Sequence, residues 1–258
     1  MTRLSISDAA TWAGRFLQRE WPLAGSVALA FLMLPGFAIQ LLVPAVGNVG
    51  TDGAKLALAM RWMMPLGMIA LFGGATLTAM ALLPGMSVAD ALRLAARRFW
   101  VVLAALLIVS AAMLLGLTVL SFVGTLMGVP IARLLAFGVT AMLVAGAAAA
   151  ARLMPLVPAA MVGQAGPIAT LRYSWALTAG HFWRLLATSL LMFALGLLIL
   201  TVARQTIGAL ALVIGMASAG SAAVVNAVAT LLLLLISAAV STCCYIFIAG
   251  IYRQLAGR

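Results

Sequence analysis

Residues 100–122 read WVVLAALLIVSAAMLLGLTVLSF, an apolar run without a single charged side chain. About 20 mostly apolar residues are enough for a helix to cross the ~30 Å hydrocarbon core of a bilayer. A helix also pairs every backbone N–H and C=O internally, which lipid demands because it offers no hydrogen bonds. The run is continuous rather than alternating, so it favours a helix over a strand of a membrane β-barrel. It therefore predicts a transmembrane helix.

Similar runs flank this one along the chain. The six predicted spans cover residues 22–46, 62–83, 100–122, 134–162, 183–203 and 222–251. Apolar residues make up 66% of the 258 residues and charged residues only 7%, too little charge to cover a water-soluble fold. The same composition excludes disorder, and the adjacent Cys243 and Cys244 exclude a disulfide framework. We expect an all-α, polytopic membrane helical bundle, with residues 1–258 forming one membrane domain.

Charge distribution predicts the orientation of the chain. With six spans and both termini in the cytoplasm, 11 of the 15 basic residues lie in cytoplasmic loops or termini, as the positive-inside rule predicts. The four basic residues in the outside loops are Lys55, Arg61, Arg133 and Arg204. The apolar segment 206–218 is too short for a span, so we expect a re-entrant or interfacial piece there. The mixed-charge N-terminal segment argues for a retained first span rather than a signal peptide. Arginine supplies all but one of the basic residues, which is typical of a GC-rich bacterial genome, so we expect the bacterial cytoplasmic (inner) membrane.

A helix-start signal opens a short segment before a span three times, and we call these the lead-in segments. The first two begin Ser5-Ile-Ser-Asp8 and Ser87-Val-Ala-Asp90, a capping-box variant, and the third begins at Gly166-Pro167. Each ends in an aromatic-basic cluster, whose tryptophans mark where a span starts: Trp21, Trp100 and Trp183. We expect a pseudo-threefold repeat of one interfacial helix and two spans, in units of about 1–84, 85–164 and 165–258.

The lead-in segments are predicted to be amphipathic helices. In the first, Asp8 and Arg15 fall on one face and Ala9 and Ala13 on another, which is helical rather than strand spacing. We expect such helices to lie in the interface, with arginines toward anionic head groups and apolar faces toward acyl chains. The third is less cleanly amphipathic, because its polar side is mostly Thr170, Ser174 and His181.

The stretch 152–198 carries a family resemblance. Its motifs are RLMPLVP (152–158), VGQAGP (162–167), ATLRYSW (169–175) and GHFWR (180–184). This stretch resembles the glycerophosphoryl diester phosphodiesterase membrane-domain family and its six-span bacterial relatives. The resemblance implies a six-helix inner-membrane domain whose fourth span is broken by prolines, with Gln164 standing where the family's turn carries Glu. It does not imply catalysis, because in this family the catalytic domain is a separate soluble unit that we expect this chain to lack.

The chemistry needed by an enzyme is missing from the sequence. Asp8, Glu20, Asp52 and Asp90 are the four acids, and no two have the spacing of a metal pair. A lone His181 cannot build a catalytic triad, and it is better explained as an interfacial residue. We therefore expect no enzymatic activity, no cofactor and no bound metal. The charge of +11 does not indicate nucleic-acid binding, because the arginines are spread over membrane boundaries.

Arg152 is the deepest charge in the predicted spans, beside the Pro155 and Pro158 break. In one interpretation it snorkels to the cytoplasmic surface and bonds to carbonyls that the prolines leave unpaired. In the other it forms an anion or lipid-phosphate site with Arg172 and Arg184. The remaining candidate lipid-phosphate contacts are Arg93, Arg97 and Arg98.

Two hypotheses of function follow from these patterns. The first is a non-enzymatic membrane protein that organises or senses anionic lipid, with membrane phospholipids as its partners and a homo-oligomer or membrane-protein partner left open. The alternative is a transporter or channel for a small or lipidic solute, with the proline-broken fourth span lining the path. A water-filled cavity lined by Gln40, Asn226 and Arg152 would favour transport, since Gln40 and Asn226 are the strongest polar candidates within spans. A bundle tightly packed by Ala and Gly would favour the structural role.

Overall fold

The structure, a computed structural model, describes residues 5–42, 53–163, 165–217 and 222–257. Within these ranges the secondary structure is helical throughout, apart from turns and short connections. The helices are α1 (Ile6–Ala28), a π-helical segment (Leu29–Met33), α2 (Leu34–Leu42), α3 (Gly53–Leu82), α4 (Val88–Leu126), α5 (Ile131–Leu153), α6 (Leu156–Val162), α7 (Pro167–Thr178), α8 (Phe182–Ala217) and α9 (Ala222–Leu255).

Six helical stretches in the described part of the chain are long and apolar enough to cross a membrane. They are Ile6–Ala38, Arg61–Leu82, Val88–Leu126, Ala136–Val162, Phe182–Gly215 and Val224–Leu255. Each contains most of one predicted span. The prediction of an all-helical chain with six helices long and apolar enough to span a membrane is confirmed.

The helix-start signals work as the sequence predicts. The Ser5 hydroxyl accepts a hydrogen bond from the Asp8 backbone N–H at 3.3 Å, and the Ser87 hydroxyl accepts one from Asp90 at 3.2 Å. The Ser87 hydroxyl also donates to the Asp90 carboxylate at 2.7 Å. Both serines satisfy an early N–H that has no partner within the helix. Pro167 lies in the first turn of α7, where its missing N–H costs no hydrogen bond.

Only the third lead-in segment is a separate helix. The first is the N-terminal part of α1, which runs on into the first span, and the second is the N-terminal part of the 39-residue α4. The start of α4 contains no Gly or Pro before its span, so its backbone hydrogen bonds continue. Helix α1 continues through Gly14 and Pro22, although Pro22 lacks an N–H donor. The third is followed by Gly180, whose φ of +85° is a left-handed conformation that favours glycine and turns the chain away from the helix.

The segment after Arg204 is not re-entrant. Residues 206–217 continue α8 as one 36-residue helix, and Ser218 lies outside the described residues. The polar pair Arg204 and Gln205 suggested a boundary, but a charged side chain leaves the backbone hydrogen bonds intact. At 1.5 Å per residue, α8 is roughly 54 Å long and exceeds the ~30 Å thickness of a bilayer core.

The second half of α3 forms the core of the bundle. Residues 73–81 are buried, and Phe31 and Tyr245 approach the backbone at Gly73 and Gly74 so closely that a Cβ at either glycine would overlap an aromatic side chain. Small residues allow such close helix packing in membranes. The hydroxyls of Thr76 and Thr78 donate to carbonyls one turn earlier in α3, so their burial leaves neither hydroxyl without an acceptor.

A π-helical turn shapes the first span. It covers Leu29–Met33 and ends two residues before Pro35, which cannot donate a hydrogen bond and whose ring clashes with the carbonyl four residues earlier. That carbonyl belongs to Phe31, whose ring packs against Phe72 of α3 with centroids 5.4 Å apart. The wider turn therefore coincides with the point where the first span meets the core.

Candidate functional site

The two ends of the described chain are joined by a reciprocal hydrogen-bond pair. The Ser5 N–H donates to Oε1 of Gln254, and Nε2 of Gln254 donates to the Ser5 carbonyl, both at 2.9 Å. The start of α1 therefore lies against the end of α9. Gly250 allows this approach, since a Cβ there would lie 2.9 Å from the Trp12 ring and 3.2 Å from the Ala9 carbonyl oxygen.

An apolar cluster gathers further helix ends at the same place. It joins α1, α5, α8 and α9 through buried side chains of Ala9, Ala151, Leu185 and Ile251. We call this end of the bundle the basic end, because it also carries most of the described arginines. A second cluster packs Ala13 of α1 against α3 and α9. The face of α1 that was expected to lie against acyl chains thus packs on protein, because Gly250 and the alanines let the helices approach closely.

The start of α4 also lies at the basic end, because Ser87 lines one cavity together with Arg19 and Arg253. The arginines of α1 and α4 lie on the surface there. Arg15 and Arg19 are exposed, as are Arg93 and Arg97, while Arg98 is half-buried. Arg93 pairs with Asp90 at 3.5 Å, and Arg19 pairs with Glu20 at 3.6 Å. Exposed pairs of this kind contribute only about 0–1 kcal/mol each. The five arginines outnumber the acids Asp8, Glu20 and Asp90 on these segments, so the surface carries a net positive charge.

Arg152 is half-buried where α5 ends. Its Nη1 donates to the Thr178 hydroxyl at 3.4 Å, and its guanidinium carbon lies 4.9 Å from the ring centroids of both Trp175 and Phe182. Aromatic faces attract a cation through their quadrupole, by about 0.5–1 kcal/mol where water reaches the site, as it does at the exposed Trp175. Two rings and one hydroxyl therefore hold the guanidinium, rather than the carbonyls expected in the snorkelling interpretation.

The backbone around Arg152 is also bonded to α7. The Ser174 hydroxyl donates to the Arg152 carbonyl at 2.8 Å, directly before the break between α5 and α6 at Pro155. Prolines at 155 and 158 cannot donate to carbonyls one turn earlier, so the helix is interrupted here. The resemblance and the sequence both predict this proline break, and the structure shows it.

The third lead-in helix has its polar side turned inward. Thr170, Ser174 and Thr178 are buried, whereas Ile168 and Trp175 are exposed. The buried hydroxyls donate to carbonyls of α7 or α5, so they are satisfied. The outward face combines apolar side chains with the exposed Arg172, as do helices at a membrane surface.

The three arginines of the predicted phosphate site differ in their surroundings. Arg152 is held between α7 and α8, Arg172 is exposed on the outer side of α7, and Arg184 is exposed in the first turn of α8. His181 lies between α7 and α8, and its buried Nδ1 has no hydrogen-bond partner among the described residues. A shared anion between the three arginines stays a prediction.

The polar candidates within the spans do not form a common site. Asn226 is exposed near the start of α9, whereas the other end of that helix lies at the basic end with Arg152. The Gln40 side chain lies outside the described residues. Neither Asn226 nor Arg152 lines any of three cavities in the described part of the chain, which measure about 570, 330 and 460 Å³. The transporter hypothesis therefore stays a prediction.

The described residues contain no group of three His, Cys, Asp or Glu side chains that could hold a metal ion. Cys243 and Cys244 are free cysteines. Asp8 and Asp90 lie at helix starts, as predicted.

The sequence did not predict the cation–π contact of Arg253 with Trp12, whose guanidinium carbon and ring centroid lie 5.7 Å apart. No local sequence pattern links the start of α1 to the end of α9.

The chain matches no known protein-family profile, no curated protein and no solved structure. The resemblance to the glycerophosphoryl diester phosphodiesterase membrane-domain family therefore stays a prediction.

Proposed function

We propose that this chain is a non-enzymatic protein of the bacterial cytoplasmic membrane that binds and organises anionic phospholipid at its basic end. One observation carries the proposal: hydrogen bonds, apolar clusters and a shared cavity gather the arginine-bearing parts of α1, α4, α5, α8 and α9 at one end. An arginine near an anionic membrane surface contributes about 1 kcal/mol of attraction, and several together give a strong preference for acidic lipid.

Exposed tryptophans support this placement. Trp21, Trp100 and Trp183, at the ends of the three lead-in segments, have exposed fractions of 48%, 69% and 77%. Tryptophan is enriched at head-group level, where an apolar ring with one N–H donor is well solvated. In the proposal these residues mark the inner head-group layer, the termini lie in the cytoplasm, and the lead-in segments form a pseudo-threefold set around the basic end.

The test compares matched charge changes at the two ends of the bundle. Purified full-length protein in nanodiscs of mixed phosphatidylglycerol and phosphatidylcholine should enrich phosphatidylglycerol in its retained lipid, measured by mass spectrometry. Replacing Arg93, Arg97 and Arg98 with Gln should reduce that enrichment. The free energy that favours phosphatidylglycerol over phosphatidylcholine should fall by about 2–3 kcal/mol. The control replaces three exposed arginines outside the basic end: Arg61, Arg133 and Arg204.

The control variant has the same net charge as the basic-end variant, so overall charge cannot explain a difference between them. Equal losses in the two variants, or a wild type that retains both lipids equally, would contradict the proposal.

A further inference from the structure

A cavity of about 570 Å³ opens at the basic end between α1, the connection from α3 to α4, and the end of α9. Trp12, Phe16, Arg19 and Glu20 line it from α1, Met80 lines it from α3 and Arg253 from α9. Its lining residues Glu20 and Leu23 flank Trp21 and Pro22 in the sequence, where the first span is predicted to enter the membrane. We call it the basic-end cavity.

The charges in this cavity favour an anion. Two guanidinium groups and one carboxylate give it a net positive charge. The Arg19 side chain is 86% exposed, and its ion pair with Glu20 is long, at 3.6 Å. A guanidinium has five N–H donors, so Arg19 retains donors for a phosphate or carboxylate. Arg253 lies over the Trp12 ring, which keeps its charge at the cavity wall.

Part of the remaining wall is apolar and suits a hydrocarbon chain, while Ser87 adds a hydroxyl to the lining. Trp12 and Phe16 are stacked, with ring centroids 6.1 Å apart, and Met80 lies among the buried residues of the core. Methionine adapts to irregular ligands, and aromatic rings offer large apolar surfaces. The volume falls within the roughly 300–1,000 Å³ usual for small-molecule sites.

We propose that the basic-end cavity binds one molecule of an acidic amphiphile. Its phosphate or carboxylate lies between Arg19 and Arg253, and its chain lies along Trp12, Phe16 and Met80. This inference deepens the proposed function and rests on it for the placement of the cavity at the inner head-group layer. The two proposals differ in the mode of binding. The cavity holds a single molecule in a defined site, whereas the surface arginines attract acidic lipid without a defined binding site.

Native mass spectrometry of the full chain in detergent tests the site, with phosphatidylglycerol and oleate as separate probes. The wild type should bind one molecule of an acidic probe more tightly than phosphatidylcholine. Arg19→Gln and Arg253→Gln should each weaken that binding by about tenfold, because each removes a charge-assisted contact. Arg133→Gln, which removes an exposed arginine outside the basic end, should leave it unchanged.

A second variant separates loss of the site from loss of the fold. Leu23 lines the cavity and is exposed, so Leu23→Trp adds bulk at the cavity wall without changing any charge or the buried core. It should abolish the single bound molecule while preserving the unfolding temperature and the phosphatidylglycerol enrichment in nanodiscs.

The outcomes distinguish the cavity from the wider proposal. Preference for phosphatidylglycerol over oleate identifies a leaflet lipid, and the reverse identifies a single-chain acid; both support an acidic amphiphile. Equal effects of Arg133→Gln and Arg253→Gln, or equal binding of phosphatidylcholine, would overturn the cavity site and leave the proposed function standing. Loss of nanodisc enrichment in both charge-matched triple variants would overturn the proposed function instead.

Discussion

Gly74 packs so closely against Tyr245 that a single methyl group has no room between them. A Cβ at this position would overlap the Tyr245 ring, and the surrounding residues 73–81 are buried, so the ring has little space to move. Overpacking a well-filled core costs about 1–3 kcal/mol. We expect Gly74→Ala to lower the thermal unfolding midpoint of the purified protein in detergent.

Gly116 provides the matched control for this substitution. It lies within α4 and is exposed, and a Cβ added there would have no neighbouring atom within 4 Å among the described residues. Alanine is favoured over glycine in a helix by about 1 kcal/mol, so Gly116→Ala should leave the midpoint unchanged or raise it. Equal midpoints for the two variants would show that the Gly74–Tyr245 contact is looser than in this structure.

The sequence predicted which individual residues matter, but it did not predict which residues they contact. The depth of Arg152 in an apolar run marked it as unusual, and Pro155 marked the break beside it. Its contacts with Trp175 and Phe182 depend on how α7 and α8 fold back over the end of α5. Periodicity within one helix carries no information about that return, so sequence reasoning left the role of Arg152 open between two alternatives.

At the scale of elements, α7 is held by hydroxyl groups rather than by an apolar stripe. The Ser174 hydroxyl donates across to the Arg152 carbonyl, and the Thr178 hydroxyl accepts from the Arg152 guanidinium. Each such hydrogen bond contributes about 0.5–1.5 kcal/mol net, and more where one partner is charged. The position of α7 therefore depends on a few polar contacts that can be removed one at a time.

We expect the double variant Ser174→Ala, Thr178→Val to loosen α7 while the six spanning helices stay intact. Amide hydrogen exchange in residues 167–178 should accelerate by about tenfold or more, because two docking bonds are lost. Thr118→Val is the control, since its hydroxyl is exposed and bonds to a carbonyl of its own helix. Unchanged exchange in α7 would show that apolar contacts alone hold it.

The lead-in segments show what local sequence signals can and cannot predict. Ser5, Ser87 and Pro167 mark three helix starts correctly, because capping depends on groups a few residues apart. Where those helices end was harder to predict. Gly180 was the available signal for a separate third helix, and α4 has no such residue between Val88 and Trp100.

At the scale of the whole molecule, the six spans were predictable because lipid imposes one requirement on every helix that crosses it. Length and apolar composition satisfy that requirement without reference to packing. The arrangement of the helices depends on side-chain contacts between distant parts of the chain, such as Phe31 and Tyr245 against α3. The continuation of α8 beyond Arg204 was mispredicted for a related reason, since hydropathy locates lipid-compatible lengths rather than helix ends.

The hydrogen-bonded pair of Ser5 and Gln254 brings both ends of the described chain together, so we expect them on the same side of the membrane. The positive-inside rule then predicts the cytoplasm, because the exposed arginines of the basic end lie on that side. Reporters fused in turn to each terminus of the full-length chain, one active only in the cytoplasm and one only outside it, should both report the cytoplasm. If the two reporters report opposite sides, the six-span prediction is contradicted. If both report the outside, the predicted orientation is contradicted, and with it the placement of the basic end against the inner leaflet.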